Sequence, residues 1–76
     1  MRIHLGGHLI YYQNQKQAWF NYDLSQATSL TEVVARIGIP VAEIAFTIMN
    51  GEVVDLKNTL VNNSDTLQIY PPNDGG

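Results

Sequence analysis

The residues that could take part in chemistry are few in this 76-residue chain. It contains no cysteine, which excludes a disulfide framework, a thiolate metal site and a cysteine nucleophile. Its two histidines, His4 and His8, have the spacing of a helical metal pair, but Gly6-Gly7 lies between them and His4 falls in a predicted strand. We therefore expect no metal site. The serines have no plausible base partner, so we expect no catalytic serine either.

The other candidates for chemistry are the last two residues of the sequence, Gly75 and Gly76. Because glycine has no side chain, a carboxylate that follows a glycine pair can pass through a channel that any Cβ would obstruct. Pro71-Pro72 cannot donate ladder hydrogen bonds and favours extended geometry, and Asn73 and Asp74 add no apolar anchor. Six extended residues reach roughly 20 Å. We expect this segment to enter a slot in another protein; a frayed terminus without function is the alternative.

Composition indicates one folded domain. The chain is 45% hydrophobic and 14% charged, which is typical of a globular protein and too apolar for a disordered one. The net charge is −3 and the four basic residues are scattered, so we expect no nucleic-acid binding. No apolar run approaches the roughly 18 residues that a membrane span requires. We expect a cytoplasmic protein that contacts neither membrane nor nucleic acid.

One segment has the pattern of an amphipathic helix. Ser29-Leu30-Thr31-Glu32 matches a capping box, in which the serine and glutamate side chains accept from each other's backbone N–H groups. Apolar residues follow at the spacing of one helical stripe: Leu30, Val33, Val34 and Ile37. Gly38 can adopt the left-handed conformation that ends a helix, and Pro40 prevents its continuation.

Five segments have the composition and alternation of strands: Arg2–Leu5, Ala18–Leu24, Ile44–Met49, Glu52–Asp55 and Thr66–Tyr70. Asn50-Gly51 predicts a type I′ hairpin between the third and fourth strands, since that turn needs positive φ at both positions. In the first strand we expect Ile3 and Leu5 to point inward, and in the last strand Leu67 and Ile69.

The order strand, strand, helix, strand, strand, strand predicts an α+β fold. Two hairpins of one sheet packed on a single helix form the ubiquitin-like β-grasp. We therefore expect a mixed sheet of four to five strands on one main helix, with the last strand central beside the first. Residues 1–70 would form this domain, and residues 71–76 would form a flexible, extended tail that ends in Gly-Gly.

Several segments together carry a family resemblance. They are Arg2–Leu9, Ile39-Pro40, Met49–Asp55, Asp65–Pro72 and the final Gly75-Gly76. In this order they resemble the MoaD/ThiS family, the sulfur-carrier proteins of molybdopterin and thiamine synthesis, over nearly the whole chain. The proline pair before the tail is more similar to the small subunit of molybdopterin synthase than to the thiamine carrier.

The resemblance implies a protein co-substrate and not an enzyme. In this family a ubiquitin-activating-type adenylating enzyme uses ATP to adenylate the terminal carboxylate, and sulfur then displaces AMP to give a thiocarboxylate. Gly76 would carry that group, Gly75 would keep the approach narrow, and Pro71 and Pro72 would set the exit direction. A sulfur-acceptor synthase subunit would receive the sulfur in cofactor biosynthesis, most simply of the molybdopterin type. The chain itself would bind no cofactor.

The resemblance also implies docking through the solvent face of the sheet and the tail. By alternation we expect that face to carry Thr47, Met49, Gln68 and Tyr70, with Ile44, Phe46 and Ile48 on the opposite face. The tail would add Pro71, Pro72, Asn73 and Asp74. We also expect the side chain of Trp19 to point outward.

Two other functions are compatible with the same features. A ubiquitin-like modifier would use Gly76 to form isopeptide bonds with lysines of target proteins, and it needs the same tail and the same activation. A β-grasp interaction domain would bind partners without any chemical role for Gly75-Gly76.

Overall fold

The computed structural model describes residues 1–72 and contains seven strands in that part of the chain. They are β1 (Arg2–Leu5), β2 (Trp19–Asn21), β3 (Thr28–Ser29), β4 (Phe46–Met49), β5 (Glu52–Val54), β6 (Leu60–Val61) and β7 (Thr66–Tyr70). Five of them form a mixed sheet in the order β2-β1-β7-β4-β5, in which β1 and β7 are parallel and the other neighbours antiparallel. The last strand therefore lies beside the first in the centre, as the sequence predicts.

The α-helix α1 (Leu30–Ile37) begins and ends where the sequence predicts. The Ser29 hydroxyl accepts from the Glu32 N–H at 3.2 Å, and Gly38 follows the helix with φ of 96°, a left-handed value that glycine adopts without strain. The return half of the capping box is absent from the hydrogen bonds of the described residues. The Glu32 carboxylate instead accepts from Arg36 Nε at 3.0 Å, one turn further along the helix.

The core lies between the inner face of the sheet and α1. Its fully buried members from the two central strands and the helix are Ile3, Leu5, Leu67, Ile69, Leu30, Val33 and Val34. Each such side chain contributes about 1.5–3 kcal/mol by leaving water. A helix of eight residues is too short to be stable alone, so this contact with the sheet holds it in place. The predicted inward positions of β1, β7 and α1 are confirmed.

The face of β4 that packs on the core is the opposite of the expected one. Thr47 is 1% exposed and Met49 packs against the core, whereas Phe46 is 44% exposed. The sheet register explains this, because Thr47 lies opposite Ile69 and Met49 lies opposite Leu67, both fully buried. The expectation that Thr47 and Met49 face the solvent is therefore wrong.

The error at β4 has a simple physical origin. Alternation separates the two faces of a strand but does not say which face is buried, and the apolar character of Phe46 and Ile48 favoured the wrong one. The buried threonine is tolerated because the Thr47 hydroxyl donates to the Val54 carbonyl at 3.0 Å, so that its polar group is satisfied.

The second strand is shorter than predicted, and a small second sheet was not predicted at all. β2 covers Trp19–Asn21 of the expected segment Ala18–Leu24. β3 and β6 pair antiparallel with two residues each, and the Leu30 N–H donates to the Thr59 carbonyl at 2.9 Å beside them. Strands of two residues are too short to show the alternation on which a sequence prediction depends.

Helical structure outside α1 is limited, in the part of the chain that is described, to two short 3-10 helices. Gly7–Tyr12 follows β1, and Val41–Glu43 precedes β4. Within residues 1–72 no helix combines the length and the apolar character that crossing a membrane would require.

The turn between β4 and β5 is attached to the start of β7 by one side chain. Asn50 and Gly51 have φ of 52° and 88°, which confirms the predicted positive values. Asn50 Nδ2 donates to Asp65 Oδ1 at 2.9 Å, and the Thr66 N–H donates to Asn50 Oδ1 at 2.9 Å. Asn50 therefore both forms the turn and links the hairpin to the central strand.

Two substitutions separate these roles of Asn50. Asn50→Gly keeps easy access to positive φ but removes both side-chain hydrogen bonds, so we expect the free energy of unfolding to fall by about 1–2 kcal/mol. Asn50→Ala removes the same bonds and also places an unsuited side chain at positive φ, which should cost about 1 kcal/mol more. Urea denaturation of both variants measures the difference. Equal losses would show that the backbone requirement contributes nothing.

Candidate functional site

The outer face of the sheet, defined as the face that points away from α1, is formed by alternate residues of all five strands. They are Arg2, His4, Trp19, Asn21, Phe46, Ile48, Val53, Thr66, Gln68 and Tyr70. Among them only Arg2 is charged when histidine is neutral, although the chain as a whole has a net charge of −3. The outer face is therefore much less acidic than the rest of the protein.

A continuous row of rings crosses the outer face from β2 to β4. His4 lies between Trp19 and Tyr70, with ring centroids 4.8 Å and 5.6 Å away, and Tyr70 stacks on Phe46 at 5.0 Å. Trp19 is 41% exposed and Phe46 is 44% exposed. Packed rings of this kind present a large, rigid apolar area at little cost in side-chain entropy, which is the composition found at the centres of protein interfaces.

One hydrogen bond and one cation–π contact engage side chains of this row within the protein. The Tyr70 hydroxyl donates to Gln68 Oε1 at 2.6 Å, and the Arg2 guanidinium carbon lies 5.1 Å from the Trp19 ring centroid, within the range of a cation–π contact. His4 Nδ1 is buried without a hydrogen-bond partner in the described residues. The exposed part of the row is thus mainly aromatic ring surface, which is suited to apolar contact.

One glycine allows the ring row to reach the end of β7. A Cβ on Gly6 would lie 2.4 Å from Tyr70 Cδ1, so any other residue there would displace the ring. The Gly6 N–H also donates to the Ile69 carbonyl at 2.8 Å, which extends the pairing of β1 with β7 beyond Leu5. Gly6 therefore fixes the position of Tyr70 at the point where the chain leaves the sheet.

The chain leaves the sheet directly after Tyr70, one of the residues of the ring row. The Ala45 N–H donates to the Tyr70 carbonyl at 2.8 Å, and Pro71 is buried while Pro72 is exposed. Because proline cannot continue the ladder, pairing stops here. The remaining predicted site residues, Asn73, Asp74, Gly75 and Gly76, lie outside the described residues.

A carboxylate joins the two 3-10 helices that flank this exit. Glu43 Oε2 accepts from the Tyr12 hydroxyl at 2.6 Å, and Glu43 Oε1 lies 2.7 Å from His8 Nε2. The hydrogen bond from Tyr12 and, after it, the contact with His8 hold the pKa of the Glu43 carboxyl below its ordinary value, and the same bond to Glu43 raises the pKa of Tyr12. We call this group the Glu43 clasp. It connects the segment after β1 to the segment before β4, on either side of β7.

The described residues do not assemble a metal site. No group of three or more histidine, cysteine, aspartate or glutamate side chains in residues 1–72 is arranged to hold an ion. The Glu43 clasp supplies one carboxylate and one imidazole, and both are already engaged with each other.

The structure separates the sequence-predicted docking residues into two groups. Gln68 and Tyr70 lie on the outer face as expected, and so does Trp19, whereas Thr47 and Met49 lie on the core side. Whether the outer residues bind a partner stays a prediction. His4 lies outward as the alternation of β1 predicts, whereas Phe46, Ile48 and Val53 were not predicted as outer residues. The signal for these three is the register of β4 against β7 and of β5 against β4, which alternation within one strand does not contain.

A mixed sheet whose last strand is central, packed on one helix, is the β-grasp fold of ubiquitin-like proteins. The chain belongs to the Mut7-C ubiquitin family, whose family model matches residues 6–75. A small ubiquitin-like protein of this kind is consistent with the MoaD/ThiS type that the sequence resembles. A search among curated proteins finds no matching sequence.

The Glu43 clasp predicts a specific pH dependence of stability. Because the pKa of Glu43 is lowered by folding, its contribution is fully present above the ordinary value of 4.5 and is lost as the pH falls through the folded pKa. The raised pKa of Tyr12 gives a contribution that is present below 10.0 and lost as the pH rises through the folded pKa. The stability difference between the wild type and Glu43→Gln should therefore be largest between these limits.

Urea denaturation as a function of pH measures that difference. Glu52→Gln is the matched control, because the Glu52 side chain is exposed and makes no hydrogen bond or ion pair within residues 1–72. We expect the Glu43→Gln profile to converge on the wild-type profile in acid and the Glu52→Gln profile to stay parallel to it. A constant offset for Glu43→Gln at all pH values would contradict the assignment.

Proposed function

We propose that this protein is a sulfur carrier, whose C-terminal carboxylate on Gly76 is adenylated and converted to a thiocarboxylate that donates sulfur in cofactor biosynthesis. The observation that carries the proposal is that the outer face is continuous with the segment that leads to Gly76. The ring row of the outer face includes Tyr70, the last residue of β7, and the sequence continues from there through Pro71-Pro72 to the glycine pair. A partner that binds the outer face would therefore receive the tail beside its own binding surface.

The chemistry follows from the weakness of a carboxylate as an electrophile. A carboxylate oxygen of Gly76 attacks the α-phosphate of ATP and releases pyrophosphate, which gives an acyl adenylate. Hydrosulfide, delivered by the sulfur source, then bonds to the carbonyl carbon and loses its proton, and AMP departs with the original oxygen. The resulting thiocarboxylate is a good sulfur nucleophile. Gly75 keeps the approach narrow, since a Cβ would widen the segment that enters the partner.

The chain and its partner enzymes have different roles in this reaction. The outer face supplies apolar contact and the tail supplies the reacting carboxylate, while an adenylating enzyme of the ubiquitin-activating type supplies ATP binding, acid and base. A synthase subunit accepts the sulfur. The carrier is thus a co-substrate that holds no cofactor of its own and acts in the cytoplasm. The proline pair, similar to that of the molybdopterin synthase small subunit, favours a molybdopterin-type pathway.

Intact-mass spectrometry tests the reaction directly. The full chain is incubated with ATP, its activating enzyme and a sulfur source, and we expect a mass gain equal to the difference between one sulfur and one oxygen atom. A variant that lacks Gly76 is the control and should not gain mass. Adducts with lysines of other proteins in place of the gain would establish a modifier instead. No mass change and no adducts would contradict both and leave an interaction domain.

A second pair of variants tests the outer face. Phe46 and Leu60 are both exposed apolar residues, 44% and 59% respectively, but Leu60 belongs to the separate two-stranded sheet. Phe46→Ser removes a ring from the row, so we expect adenylation at limiting carrier concentration to slow roughly tenfold, the size typical of an interface residue that matters. Leu60→Ser should leave the rate unchanged. Equal rates for the two variants would contradict docking through this face.

A further inference from the structure

The edge strand β2 has backbone groups that pair with no other strand of residues 1–72. Tyr22 exchanges hydrogen bonds with Met1, each at 2.9 Å, and the Leu5 N–H donates to the Ala18 carbonyl at 2.8 Å. In an antiparallel pair such residues alternate with residues whose N–H and C=O groups point away from the partner strand. Trp19 and Asn21 are therefore the residues of β2 that direct their backbone groups to the free edge.

The edge strand on the opposite side of the sheet, β5, has fewer backbone groups that point away from its neighbour. In β5, Glu52 and Val54 lie opposite Met49 and Thr47, at the hydrogen-bonded positions that follow from the two-residue turn, so Val53 is the residue that points outward. One residue cannot hold an added strand in register, whereas two alternate residues can. The edge of β2 is thus the better template of the two.

A groove runs beside the free edge of β2. It has a volume of about 270 Å³ and lies between this strand and the C-terminal half of α1. Phe20 and Tyr22 line one side, and Ile37 and Arg36 line the other, with Tyr12 at one end. The groove is wide enough for one or two aliphatic side chains and is bordered by hydrogen-bonding groups, which is what an extended peptide requires.

The charge of the groove favours an acidic occupant. Arg36 is its one charged residue, and no carboxylate lines the groove in the described part of the chain. The guanidinium pairs with Glu32 at 3.0 Å, but both side chains are about half exposed, at 46% and 52%, so that this pair is weak and a second carboxylate can share the cation.

We propose that the free edge of β2 and this groove bind an extended segment of a partner protein, which adds to the sheet as a further strand. Its backbone pairs with Trp19 and Asn21, an aliphatic side chain enters the groove against Phe20 and Ile37, and an acidic residue approaches Arg36. In the sheet order this edge is separated by β1 from β7, the strand that leads to the chain exit, and the inference does not depend on the sulfur-carrier proposal.

The proposal is tested on the isotope-labelled full chain with short synthetic peptides. The probe is a capped heptapeptide of alternating valine and threonine with aspartate at one end. The control peptide has the same sequence with lysine in place of the aspartate. We expect backbone amide signals of Trp19 and Asn21 to shift in the spectrum. The aspartate peptide should bind roughly two- to fivefold tighter at low salt, the effect of one surface ion pair. Arg36→Gln should remove that preference.

Backbone pairing between β2 and the peptide is tested by matched changes in the protein and in the peptide. Asn21→Pro removes the outward N–H at a position that β1 does not use, and Asn21→Ala keeps it, so binding should be lost in the first and retained in the second. Should Asn21→Pro fail to fold, a peptide N-methylated at the amides that would face the edge makes the same test on the wild-type protein. The proposal would be overturned if the methylated peptide bound as tightly as the unmethylated one, or if neither peptide shifted any amide signal. It would also be overturned if the shifted signals belonged to the outer face alone, or if the protein self-associated through β2.

Discussion

The parallel pairing of β1 with β7 is the constraint on which the rest of the structure depends. It joins the two ends of the domain in the middle of the sheet, buries Ile3, Leu5, Leu67 and Ile69 completely, and provides the floor on which α1 packs. This pairing also determines where the chain leaves the sheet. Because β7 is central and parallel to β1, the chain must leave at the edge where both 3-10 helices lie, and the Gly6 N–H continues the pairing to Ile69 up to that point. The place where the chain leaves the sheet therefore follows from the order and direction of the strands.

How much of this was predictable from the sequence depends on the range over which each signal acts. The Ser29 half of the helix cap, the left-handed Gly38, the turn at Asn50-Gly51 and the inward residues of β1 and β7 are set by neighbours in the chain, and all are confirmed. The faces of β4 and the pairing of β3 with β6 depend on partners that local patterns do not specify. The β-grasp topology followed from the element order and the resemblance, not from any long-range signal read in the residues.

The error at β4 and the candidate site have one origin. A rule that turns apolar residues inward assigns Phe46 and Ile48 to the core, and it fails because the protein keeps both on the surface and buries a threonine instead. Burial of Thr47 is inexpensive once its hydroxyl is bonded to Val54, whereas exposure of a stacked Phe46 and Tyr70 gives no benefit to an isolated domain. Departures of this kind from local consistency are concentrated at functional surfaces. The misassigned strand is thus itself an argument that the outer face binds something.

Trp19 belongs to both proposed surfaces, and its geometry determines how they are related. Its ring is part of the row on the outer face, while its backbone N–H and C=O point to the free edge of β2. A strand added at the edge would hold this backbone without covering the ring, since side chains of a strand stand perpendicular to its hydrogen-bonding direction. In the sheet order β2-β1-β7, one strand separates the edge from the strand that leads to the exit. A partner at the edge would therefore leave the outer face accessible, so that one small domain could be held by one protein while it is presented to another.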